Sequence, residues 1–331
     1  MNITKTASLF FILALAVQPA VSQTPEPALP LGARDLFRLL RRTAARPATP
    51  SDVKETAPDA SASGLAKTKV YQFASADFPA ASYSQVYDRN LSTIVGSFSY
   101  TNIGETPFTL KNGIYKVVTV PGSISAGITG INTGGEMVGA YTDTSKPAKT
   151  HGFRDNAGVF TTIDYPGSAV TLAWGINDSG LIVGDYIDTT NVEHGFLDNA
   201  GTFTSIDYPG ASGTAALAIN STGDTVGLWL DAANNSHGFL LSGGVFTSLD
   251  YPLATSTGTM ASGINDVGQI AGAFLDGSGA SHGFIYAGGT KWSQVDVPNA
   301  GQTVLNQIKN DHNVVGAYVD SLTETHGLTG H

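Results

Sequence analysis

"NVEHGFLDNAGTFTSIDYPG" (residues 191–210) combines a histidine, two aspartates and a Tyr-Pro-Gly turn, the ingredients of a binding or catalytic motif. The chain has already spelled most of it as "THGFRDNAGVFTTIDYPG" (residues 150–167) and spells it again as "SHGFLLSGGVFTSLDYP" (residues 236–252). A phrase that returns at a fixed period of forty-odd residues marks a repeat architecture, and its residues are first of all parts of a repeated structural unit.

Three markers fix the period. The first is the glycine of an "IVGxY"-like run: Gly96, Gly139, Gly184, Gly227, Gly272 and Gly316, at successive spacings of 43, 45, 43, 45 and 44. The second is a histidine 10 or 12 residues later: His151, His194, His237, His282 and His326. The first unit has Thr106-Pro107-Phe108 there and lacks it. The third is the turn after "FTxID", which carries Asp77, Asp164, Asp207, Asp250 and Asp296 and reads Val120-Pro121-Gly122 in the second unit. Six units are countable, the first and last being the most worn, as terminal repeats are.

Each unit holds four short runs rich in β-branched and aromatic residues; in the fourth they are "FTSIDYP", "AALAIN", "DTVGLWL" and "HGFLLS". Gly, Asn, Asp, Ser and Pro cluster between them, and "INDSG", "INSTG" and "INDVG" read as hairpin turns. Four antiparallel strands in about 44 residues make one blade of a β-propeller, and six blades close a ring. The expected fold is therefore all-β, a six-bladed propeller. A glycine inside a strand weakens it unless another backbone must come close, so the "IVGxY" strand is expected at or near the inner edge of each blade.

The phrase "GINDSGLIVGDYIDTTNVEHGFL" (residues 175–197) and its copies resemble the HAF-type extracellular repeat family of bacterial exported proteins, with Gly in place of the middle Ala of His-Ala-Phe. The resemblance covers residues 70–328. It implies export and a propeller-like β fold, and it supplies no catalytic residues.

The N-terminus is built differently. Lys5, the apolar run "LFFILALAV" (residues 9–17) and the small residues Ala20 and Ser22 read as a secretory signal peptide over residues 1–22. Residues 23–68 are rich in Ala, Pro, Ser and Thr and read as a flexible linker, interrupted by "ARDLFRLLRR" (residues 33–42), a short basic amphipathic segment. The propeller is expected over residues 69–331. The product is then an exported protein, extracellular or held in the periplasm or envelope, with no integral membrane domain after cleavage. With no cysteine, thiol catalysis and Cys-based metal sites are excluded. The linker carries seven Lys/Arg against five Asp/Glu, whereas residues 69–331 carry nine against 22, a net of −13. So acidic a body repels phosphate backbones, and nucleic acid is not an expected partner.

The repeated polar residues point to structure more than to chemistry. Blades pack about 10 Å apart. Equivalent histidines on separate blades therefore do not converge to the about 2 Å that zinc requires. No metal is expected, although the aspartate-bearing loops before each histidine leave room for a weakly held calcium ion. The natural partner of each histidine is the aspartate 13 or 14 residues on: His151 with Asp164, His194 with Asp207, His237 with Asp250 and His282 with Asp296; His326 is the fifth repeat histidine. No nucleophile elbow and no phosphate-binding glycine loop is present.

A site should then be sought where the copies differ. The residue before "GIN" does so, reading Thr129, Trp174, Leu217 and Ser262. Trp174 is the candidate ligand-binding residue, since an aromatic face can stack on a sugar or a peptide; packing between blades is its plainer role. The function expected is a non-catalytic binding or scaffold module for a glycan or protein ligand, acting as a monomer without a cofactor. The alternatives are a propeller glycoside hydrolase or polysaccharide lyase with an axial carboxylate site, and a purely structural surface repeat protein.

Overall fold

The computed structural model describes residues 71–100, 104–254 and 258–331; the segments read as signal peptide (1–22) and linker (23–68), with the basic stretch of residues 33–42, lie outside them. Among the described residues every regular element is a β-strand, and the strands form six four-stranded antiparallel sheets arranged as the blades of a propeller. In blade 3 the strands are Val170–Ile176, Ile182–Ile187, Glu193–Asn199 and Thr202–Ile206, paired in that order. The first of these is innermost. Its counterparts are Tyr83–Arg89, Ser123–Ile131, Gly213–Ile219, Thr259–Ile264 and Gln302–Ile308.

The blade boundary falls one strand away from the repeat boundary drawn on sequence. The "FTxID" run that opens each repeat is the outer strand of the preceding blade, and the blade proper begins with the "AxxIN" run. This shift closes the ring. The last blade has three strands from the C-terminal end of the chain, and its fourth is Phe73–Ser75, which pairs antiparallel with Thr325–Gly330. Gln72 and His331 extend that pairing by two backbone hydrogen bonds.

The "IVGxY" strand is second from the axis, not innermost. Its glycine has a definite cause. Every inner strand carries a bulge, at Tyr87, Thr129, Trp174, Leu217, Ser262 and Asn306. Next to each bulge an inner-strand carbonyl lies over the glycine. A Cβ on Gly184 would stand 2.0 Å from Leu172 O and 2.7 Å from the Phe196 ring, and one on Gly227 would stand 2.0 Å from Ala215 O and 2.8 Å from Phe239. The phenylalanine of His-Gly-Phe is thus the floor on which that glycine sits, and Phe108, Phe153, Phe196, Phe239 and Phe284 are among the most deeply buried side chains. The core lies between blades, as clusters that draw residues from two neighbours; one joins Val183, Ile206, Ala216, Ile219 and Phe239.

Candidate functional site

The two faces of the ring are built from different loops. One carries the connections between second and third strands and the Asp-Tyr-Pro turns that lead from one blade to the next. The other carries the "INxxG" turns between first and second strands.

On the first face four of the five histidines meet their expected aspartates. Nδ1 of His151, His194, His237 and His282 stands 2.8, 2.7, 2.7 and 2.9 Å from Asp164, Asp207, Asp250 and Asp296. A carboxylate only accepts, so the ring nitrogen donates. His326 has no aspartate downstream and takes Asp77, 249 residues earlier, at 2.9 Å; Asp77 also accepts from the Gly327 amide. The fifth pair is therefore a clasp between the two ends of the propeller. In every case Nε2 faces a second aspartate, from the loop before the histidine: Asp143, Asp188, Asp231, Asp276 and Asp320, at 3.3 to 3.7 Å. Those loop aspartates also hold their own turns. Asp188 Oδ1 accepts from the Thr190 and Val192 amides, and Asp231 Oδ1 from Ala233 and Asn235.

The expected pairs are present but are only half-buried: the histidine side chains keep 15–25% of their exposure and their Nδ1 partners 33–52%. Each ring also stacks on an aromatic of the second strand, as His194 does on Tyr186 at 5.0 Å and His237 on Trp229 at 4.4 Å. Tyr165 and Tyr208 of the Asp-Tyr-Pro turns stack on the far side of Tyr186 and Trp229, which ties blades 3 and 4 each to the one before. Electrostatics follow this geometry. Burial alone would lower the His282 pKa, but the hydrogen bond and charge of Asp296, joined by those of Asp276, raise it. The hydrogen bond to Asp77 raises that of His326, against burial and with the charges of Asp77, Asp320 and Glu324. Asp143 is brought down to about 2, chiefly by the Lys149 amide and the Ser145 hydroxyl.

The opposite face holds the axial mouth, a cavity of about 170 Å³ lined by the ends of all six inner strands. All six bulge residues line it, and no two are alike: Tyr87, Thr129, Trp174, Leu217, Ser262 and Asn306. A bulge turns its extra residue out of the ladder, which is how a side chain at the crowded axis comes to face the opening. Several of these side chains also bind the neighbouring blade. Thr129 Oγ1–H donates to Ala173 O at 2.8 Å, Ser262 Oγ–H to Leu305 O, and Asn306 Nδ2–H to Val86 O at 2.7 Å. Trp174 is half-buried rather than exposed. It packs against two inter-blade clusters, one containing Val170, Leu172 and Ile187 and the other Ala215, Leu217 and Leu228, and its indole N–H donates to Asp185.

Around the mouth runs a ring that sequence reading missed. The asparagine of each "IN" turn donates from Nδ2 to a backbone carbonyl of the next turn: Asn90 to Asn132, Asn132 to Asn177, Asn177 to Asn220, Asn220 to Asn265 and Asn265 to Lys309, at 3.0 to 3.3 Å. Blade 6 has Lys309 in the asparagine place, and blade 1 has Asp88 in the glycine place. Lys309 Nζ stands 2.6 Å from Asp88, which is buried and also accepts from the Ile131 amide. An ion pair thus closes the ring where the repeat begins and ends. The signal for it lay in "YDRN" and "QIKN", the two copies that depart from "IN". Among the described residues no three His, Asp or Glu side chains gather around a point that could hold a metal ion.

No protein-family model and no curated protein matches the sequence. Solved structures do match in fold. AofleA from Arthrobotrys oligospora aligns at 12% identity over 77% of this chain and 84% of its own, with a TM-score of 0.51. A fungal lectin from Aleuria aurantia, a six-bladed propeller described with a mode of fucose recognition, aligns at 12% identity over 75% of this chain and 93% of its own, with a TM-score of 0.47. A Trypanosoma rangeli sialidase aligns at 7% identity over 75% of this chain and 54% of its own, with a TM-score of 0.46. At such identities the likeness is one of fold: this chain is a six-bladed β-propeller.

Proposed function

We propose that the protein is an exported, non-catalytic recognition module that takes a glycan or protein ligand at its axial mouth. One observation carries the reading: the inner-strand position at which the repeats disagree is the bulge, and all six bulges meet at a single opening. A scaffold alone needs no such divergence, because each blade could hold its neighbour with the same residue. Trp174 and Leu217, from adjacent blades, give the mouth an apolar wall, while Ser262, Asn306 and the asparagine ring give it a polar one. A cavity of this size admits one sugar ring or one side chain, with the rest of the ligand lying across the turns.

The rival reading, a hydrolase or lyase, needs two carboxylates free to act on a substrate. The axial carboxylates serve the turns instead. Asp88 is held by Lys309, Asp178 accepts from the Thr133 amide, and Asp266 accepts from the Ser221 amide and the Asn310 side chain. The export reading rests on residues 1–22 and on the HAF-type resemblance. The test is a glycan and peptide binding screen on the full chain, read by tryptophan fluorescence. A ligand should perturb the emission, and Trp174→Leu should abolish both the signal and the binding while leaving the melting transition cooperative. Survival in this variant of the binding that perturbed the parent's emission would remove the axial mouth as the site.

A further inference from the structure

A second departure from six-fold likeness lies at the periphery, in the groove between blades 2 and 3, and it stands independently of the axial mouth. Strand register shows what fills the six grooves: between blades 1 and 2 the facing places hold Thr109 and Asp155, between blades 6 and 1 Thr329 and Leu110, and the other four divide as follows. On the face turned to the next blade, the third strand presents Arg154 in blade 2, Leu197 in blade 3, Leu240 in blade 4 and Ile285 in blade 5, opposite Val138, Val183, Val226 and Ala271. The facing blade answers with Asp198, Leu241, Tyr286 and Gly330, next to an outer-strand aromatic: Phe203, Phe246, Trp292 and Phe73. Between blades 3 and 4 the answer is apolar, with Leu197, Leu241 and Phe246 in one cluster. Between blades 4 and 5 Leu240, Tyr286 and Trp292 close the groove, and between blades 5 and 6 Ile285, Val314 and Phe73 do so.

Between blades 2 and 3 the two leucine places hold Arg154 and Asp198. There the groove is open, a cavity of about 920 Å³ lined by these two residues, Thr161, Thr162 and Phe203 among others. Arg154 is anchored by one nitrogen: Nη2 bonds to Glu136 Oε1 at 2.5 Å, and Nη1 has no hydrogen-bond partner among the described residues. Asp198 is anchored by one oxygen: Oδ1 accepts from the Gly201 amide at 2.6 Å, and Oδ2 has no partner among the described residues. Glu136 already balances the guanidinium, so an anion would meet the carboxylate of Asp198 uncompensated, and a cation would meet the guanidinium. A hydroxyl suits both, since it accepts from one and donates to the other. Beside them Phe203 is half-buried, which leaves part of an aromatic surface for an apolar face.

We propose that this groove is a binding site for one neutral pyranose ring, whose hydroxyls bridge Arg154 and Asp198 and whose C–H face lies on Phe203. Sister blades supply a control that keeps the fold, because Arg154→Leu installs the residue that seals the next groove. The experiment is saturation-transfer NMR on the full chain with the methyl glycosides of galactose, glucose, mannose and fucose, run on the parent, Arg154→Leu, Asp198→Asn and Trp174→Leu. At least one glycoside should receive saturation from the parent. Affinity should fall by about tenfold or more in Arg154→Leu, as expected when a charged hydrogen-bond partner is lost, with the melting temperature held or raised. Asp198→Asn keeps the turn acceptor, so it should stay folded and bind several-fold more weakly. Trp174→Leu alters the axial mouth and not the groove, so it should keep the component of binding that Arg154→Leu and Asp198→Asn lose. The proposal fails if no glycoside binds the parent, if Arg154→Leu and Asp198→Asn bind undiminished, or if a blocked lysine derivative binds the groove in place of the glycosides. Loss in Trp174→Leu alone would also overturn it, and would leave the axial reading standing.

Discussion

The two faces of the ring obey opposite rules. On the histidine face five blades of six repeat the same Asp-His-Asp clamp on the same aromatic stack, and the exception, blade 1, keeps a stack of Phe78 on Phe98 with Thr106 in the histidine place. On the axial face the six bulges carry six different side chains. Each blade must dock on the next in the same geometry, so whatever holds blades together is copied. A ligand at the axis meets all six blades at once and need contact only some of them, so residues that meet it are free to diverge. Repetition therefore marks the scaffold here, and departure from it marks the candidate sites, at the axis and in the groove of Arg154 and Asp198.

The contrast between the faces breaks most forcefully at the glycine geometry repeated beneath the bulges. Gly184→Ala puts a Cβ 2.0 Å from Leu172 O and 2.7 Å from the Phe196 ring, so backbone must move. The expected loss is about 3 kcal/mol or more by chemical denaturation. Removing a hydroxyl at a bulge, as in Ser262→Ala, should cost only about 1 kcal/mol, the worth of its hydrogen bond to Leu305. Equal losses would show that the axial positions are as structural as the glycines. Between these two lies the seam of the asparagine ring. Lys309→Met leaves the buried Asp88 without its cation and should cost about 2 kcal/mol, less than for a fully buried pair because Lys309 is partly exposed. The double change Asp88→Gly with Lys309→Asn copies blades 2, 3 and 5 and should restore most of it, if the seam is an ordinary repeat contact in another chemistry.

How much of this was legible in sequence depends on the distance over which each signal acts. The strands, their hairpins and four of the histidine–aspartate pairs could be read, because each is complete within one repeat. The phase of the blade could not: a run of hairpin-linked strands reads the same whichever strand is counted first, and only the pairing of Phe73–Ser75 with Thr325–Gly330 fixes it. The clasp of His326 on Asp77 was hidden for the same reason. The asparagines were read only as turn residues, since their second role is to a carbonyl one whole repeat away. Disagreement among copies drew attention to Trp174, but its half-buried place against two inter-blade clusters depends on a bulge that sequence does not announce. Arg154 went unnoticed because one polar residue in one copy carries meaning only when register sets it opposite Asp198.

The smallest effects belong to the histidine face, where the clamps are half-exposed and each contributes little alone. His237→Ala should lower stability by about 1 kcal/mol, seen as a fall in melting temperature with ligand binding intact; lost binding at unchanged stability would make the clamp part of a site. The pH dependence tests the clamp more finely. His282 and His326 have raised pKa values, so the stability they confer is full below about pH 6.5, their unfolded value, and fades as pH rises through the folded value. The loop aspartates act in the other direction. Asp143, at about 2 when folded, and Asp188, Asp231 and Asp276, also lowered, contribute above about pH 4 and lose that contribution as pH falls toward their folded values. The melting temperature should therefore decline gently on both sides of a plateau between about pH 4 and pH 6.5. His326→Gln should flatten the alkaline limb and leave the acid limb in place, because it removes one raised histidine and none of the lowered carboxylates. An alkaline limb unchanged in that variant would mean that the clasp between the chain ends is held by the strand pairing of Phe73–Ser75 and not by the charge on the ring.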